Sequence, residues 1–139
     1  MNTSTKVFAT LALSAAVGQK IKNQESGELA DAGENLRSAG FIATGAYPSA
    51  HLSVKKTEDI ANAVMRLLSK PLQPYDILSM LVAGLIDIRA KCKPERYVLI
   101  DPVVDAAQEC LDLYEGNGPS IILVAHVAAY ERYCAWLES

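Results

Sequence analysis

Apolar positions along the first 23 residues recur at helical spacing. Val7, Leu11, Ala15 (or Ser14), Val17 and Ile21 fall on one side, and Thr3 or Ser4 is placed to cap the start. A helix is therefore expected from the N-terminus to about Asn23. The run Asn23-Gln24-Glu25-Ser26-Gly27 reads as a break. Ser26 then opens a shorter helix with Glu28, Asp31 and Glu34 near its positive end, and Gly40 is expected to close it. Residues 40–56 hold Gly40, Gly45 and the Tyr47-Pro48 pair, and predict a long loop with a short extended piece at Phe41-Ile42-Ala43.

The pattern resumes at Thr57-Glu58-Asp59, an N-cap followed by two acids. Ile60, Ala61, Val64, Leu67 and Leu68 supply the apolar face, and Pro71 stops the helix. Pro74 opens the next helix, to about Cys92, in which apolar residues cover most of the circumference. Such a pattern predicts the central helix of the fold. After a turn at Lys93-Pro94-Glu95, Tyr97-Val98-Leu99-Ile100 reads as an apolar link, since four β-prone residues without a partner make no sheet. Asp101-Pro102 is expected to cap and start a helix to about Glu115, closed by Gly116-Asn117-Gly118. Pro119-Ser120 starts the last helix, Ile121 to Leu137. The expected fold is all-α: one domain over residues 1–139, a compact bundle of five or six helices with one long loop at about 40–56.

Composition agrees with a packed domain. The chain has 139 residues, half of them apolar, which is too many for a disordered segment. The best apolar stretch, Ile77 to Ile86, is half the roughly 20 residues a membrane span needs, so no membrane partner is expected. Lys6 followed by Val7 to Val17 has the outline of a short signal peptide. A single charge and the interrupting threonine and serine residues weigh against export, and the cytoplasm is the expected compartment. Cys92, Cys110 and Cys134 are too far apart for a metal clip and odd in number, which predicts reduced, buried thiols.

Charge changes the picture most. The net value of −3 hides eight basic and six acidic residues in 1–70 against five basic and ten acidic in 71–139. Much of the acidic excess lies on one helix face. At 100° per residue, Asp101, Asp105, Glu109, Asp112 and Glu115 fall within an arc of about 120°. Val103, Val104, Ala107, Cys110, Leu111 and Tyr114 take the other side, and no lysine or arginine occurs between Arg96 and Arg132. A solvated face that aids solubility explains such a stripe, as does neutralisation by a neighbouring helix, and so does a docking surface for a basic partner. The basic group just before it, Arg89, Lys91, Lys93 and Arg96, suits the negative end of the preceding helix. With only Tyr97 interleaved, that group does not make a nucleic-acid site.

Other chemistry is thinly represented. His126, Tyr130 and Tyr133 share a helix face that would suit a small pocket, although a lone histidine there is more often a hydrogen-bonded core residue. His51 stands alone in the predicted loop, and the two histidines lack the spacing of a metal site. No nucleophile elbow or phosphate-binding glycine loop occurs, so neither catalysis nor a cofactor is expected. The expectation is a small non-enzymatic protein that presents its acidic helix to the basic surface of a protein partner. A nucleic-acid-binding groove is one such surface, by analogy of size and charge with inhibitors that mobile elements carry against host defence. A self-assembling structural bundle is the first alternative: Ile121–Ala129, apolar all round except His126, and most of 77–88 are two such segments where one small domain can fully bury one, which favours a homo-oligomer. A small-ligand binder or enzyme with a pocket at His126 is the second.

Overall fold

The computed structural model describes residues 3–46 and 74–115, which are all-helical with no strand among them. Helix α1 spans Thr3–Gln24 and α2 spans Gly27–Ala46. Helix α3 is Pro74–Lys91; a single 3₁₀ turn, Pro94–Arg96, leads into α4, Tyr97–Glu115. The segments expected to form helices from Thr57 and from Pro119 lie outside the described residues, as does the predicted loop from residue 47 on.

The chain reverses between α1 and α2 at Gly27, whose φ of 65° lies in the left-handed region that a side chain disfavours. Helix α2 packs along α1 and also meets α4, while α3 lies against both α1 and α4. Val7, Leu11, Leu13, Val17 and Ile21 of α1 enter one core with Leu36 of α2, Leu78, Leu81, Leu85 and Ile88 of α3, and Ile100, Val103 and Ala107 of α4.

Among the described helices the most enclosed is α1, whereas the 74–92 helix was expected to be central. From Val7 to Ile21 no described side chain of α1 is exposed, whereas Ala83, Ile86 and Ala90 of α3 face solvent. The difference is size. Thr10, Ser14, Ala15 and Gly18 look weakly hydrophobic as a string but are all buried. The Ser14 hydroxyl donates to the Thr10 carbonyl at 2.9 Å, which satisfies it without a partner from another helix.

Those small residues let α1 and α2 touch backbone to backbone. A Cβ at Gly40 would lie 2.6 Å from the Ala15 backbone nitrogen. One at Gly18 would collide with the Arg37 backbone nitrogen, and one at Gly33 would lie 2.8 Å from that of Lys22. Gly40 is therefore a contact point inside a helix and not its end. The loop expected at 40–56 does not begin there. Residues 41–46 continue α2, and Phe41-Ile42-Ala43 is helical, with Ala43 buried one turn beyond Gly40.

The start of α4 is a second correction. Tyr97–Ile100 is the first turn of the helix and not a link, and Asp101-Pro102 lies inside it. Pro94 sits at the head of the 3₁₀ turn, and the Arg96 amide donates to the Lys93 carbonyl at 2.9 Å, so this proline starts the helix. Pro102 has no N–H to offer the Val98 carbonyl four residues back. Val98 is 74 % exposed, which leaves water free to take that role.

Polar contacts reinforce the α1–α2 pair at its rim. Glu34 accepts two hydrogen bonds from Arg37, at 2.7 and 2.8 Å, and an ion pair from Lys22 of α1 at 2.9 Å. These donors hold its carboxyl at about 2, Arg37 first and Lys22 second. An acid held below its ordinary value adds stability above pH 4.5 that is lost as the pH falls toward 2. Glu34→Gln is therefore expected to lower the urea midpoint at pH 7. Its difference from the parent should shrink steadily between pH 4.5 and 2.

Candidate functional site

The acidic face of α4 exists because the opposite side of the helix is anchored. Val103, Ala107 and Cys110 are fully buried, with Ala106 and Leu111 nearly so. A helix with 3.6 residues per turn then turns Asp105, Gln108, Glu109 and Asp112 outward, and all four are exposed. Glu115 is the last residue of α4, and its side chain lies outside the description.

Asp101 differs from the others. The Arg89 guanidinium reaches it from the last turn of α3, Nε donating to Oδ1 and Nη2 to Oδ2, the latter at 3.4 Å. The same guanidinium lies 3.9 Å from the centre of the Tyr97 ring, so the cation is held between a carboxylate and an aromatic face. The hydrogen bond from Arg89 keeps the Asp101 carboxyl below its usual range and raises the guanidinium in turn. Asp101 thus belongs to the α3–α4 hairpin: the five carboxylates have no basic neighbour on their own helix, but this one is neutralised by the helix alongside. Sequence spacing missed the pair because Arg89 sits on another helix, 12 residues earlier. The turn at Pro94, which folds α3 back along α4, was the available signal.

Among the described residues, no lysine or arginine is ion-paired to Asp105, Glu109 or Asp112. Asp112 accepts a hydrogen bond from the Gln108 side chain at 2.8 Å, which aligns its carboxylate without neutralising it. The basic group beside the stripe is partly spent within the hairpin. Arg89 serves Asp101, and Lys91 bonds Asp87 one turn back at 3.1 Å, leaving Lys93 exposed at the turn. Val98, three residues before Asp101 and within the segment expected as an apolar link, extends the exposed face as its apolar end.

The far end of α4 is tied down as well. The Tyr114 hydroxyl donates to Glu25 at 3.1 Å, linking α4 to the corner between α1 and α2 across 89 residues of sequence. Burial, and then the adjacent Glu25 charge, push the phenol well above its ordinary pKa and keep it a donor. Tyr114→Phe is expected to cost about 1 kcal/mol, the usual contribution of one such bond, measured by chemical unfolding.

Cys110, on the buried side of the stripe, has its thiol pushed up to about 12 by burial, with the Glu109 charge adding to it. A thiol held in that form is a poor nucleophile. Iodoacetamide at pH 8 is therefore expected to spare Cys110 in the folded protein and to modify it in urea, as peptide mapping would show.

The candidate pocket at His126, Tyr130 and Tyr133 lies outside the described residues, as do His51 and Cys134. Within them, no group of histidine, cysteine, aspartate and glutamate side chains is arranged to hold a metal ion. No described helix is long and apolar enough to cross a membrane. Comparison of the chain with models of known protein families, with curated proteins and with solved structures gave no match.

Proposed function

We propose that this is a small, non-enzymatic, cytoplasmic protein that binds a partner through the acidic face of α4. Asp105, Glu109 and Asp112 form the centre of that face, with Asp101 and Glu115 at its margins. The partner offers a basic surface, such as an arginine-rich helix or a groove built for nucleic acid, and occupying such a groove would make the protein an inhibitor. On this reading the segments from Thr57 and Pro119 contribute to a bundle of five or six helices. The observation that carries the proposal is the set of three exposed carboxylates on a helix whose other side is locked in the core, with no cation paired to them among the described residues. Like charges at helical spacing repel by a few tenths of a kcal/mol per pair, so the arrangement is mildly unfavourable until a cation approaches. A rigid backing also means that little backbone freedom is left to lose on binding.

The test uses an arginine-rich helical peptide as the basic probe, titrated into the labelled protein at low and at moderate salt. Binding should weaken as salt rises, because the screening length falls to about 8 Å at physiological ionic strength. Binding that is absent at low salt would contradict the proposal. Light scattering on the same sample separates partner binding from self-assembly.

A further inference from the structure

We draw no further inference here: the strongest candidate, the exposed apolar pair Phe41 and Ile42 at the C-terminal end of α2, carries nothing because nothing in the structure shows what covers it.

Discussion

Gly40→Ala is expected to destabilise the protein by about 2 kcal/mol, while Gly45→Ala, five residues later on the same helix, stabilises it by about 0.5 kcal/mol. Both changes replace glycine by the better helix former, a gain of about 1 kcal/mol in a helix interior and less at Gly45, the next-to-last residue of α2. The neighbours decide the sign. A Cβ at Gly45 meets nothing within 4 Å, whereas one at Gly40 lies 2.6 Å from the backbone nitrogen and 2.9 Å from the Cα of Ala15. Backbone atoms of a buried helix cannot swing aside as a long side chain can, so α1 and α2 must separate along their length. That separation would loosen Leu36 and Ala43, which flank Gly40 on the same face of α2 and are buried to within 1 %. Gly40→Leu should go further and leave little folded protein, since folded domains of this kind rest on only about 5–15 kcal/mol. Urea midpoints of the two alanine variants measure the contrast. Equal stabilisation by both would show that the close approach at Ala15 does not exist.

The same glycine shows where sequence reasoning succeeds and where it stops. A glycine after a run of helical spacing is a sound local signal for a helix end, because glycine tolerates the left-handed turn found there. Nothing local distinguishes that glycine from one needed for a neighbour 25 residues earlier in the chain. The spacing of Ala32, Leu36, Gly40 and Ala43 was the visible hint, since it keeps the helical period past the expected stop. Pro102 misled for a related reason. Asp-Pro is a common helix opening, but the preceding Pro94 had already started the turn. Helices α1 and α3 were legible nearly to the residue, because caps, prolines and a consistent apolar face agree there. The identity of the most enclosed helix was not, since α1 is buried through small residues that hydropathy ranks low. On α4 the amphipathic split read correctly, with Val103, Ala107 and Cys110 inward and Asp105, Glu109 and Asp112 outward. The neutralisation of Asp101 required knowing which helix lies alongside it.

That split carries the second large expectation. Reversing Asp105, Glu109 and Asp112 to lysine should remove binding of a basic partner and leave the fold intact. All three side chains are exposed, and none is ion-paired to another helix among the described residues. Each exposed ion pair contributes up to about 1 kcal/mol, so losing three weakens binding by at most roughly 100-fold. Reversal replaces attraction by repulsion as well, which brings the expected loss to that order. Helical circular dichroism should be unchanged, because lysine is a better helix former than aspartate. Asp101 serves as an internal contrast: Asp101→Asn breaks the Arg89 contact within the hairpin and should alter stability more than binding.

Bulk charge is the explanation that competes most closely with a dedicated face, and a matched control separates the two. Glu28, Asp31 and Glu95 are also exposed acids, on α2 and on the 3₁₀ turn. Their reversal to lysine changes the net charge by the same amount without touching the α4 stripe. The decisive measurement is therefore the affinity of the arginine-rich helical peptide for three proteins at low salt: the parent, the α4 triple reversal and the matched triple reversal. The acidic face of α4 as the binding surface predicts loss of affinity by about 100-fold in the first variant, with the second close to the parent. Equal losses in both variants, or unchanged affinity in the α4 variant, would contradict it.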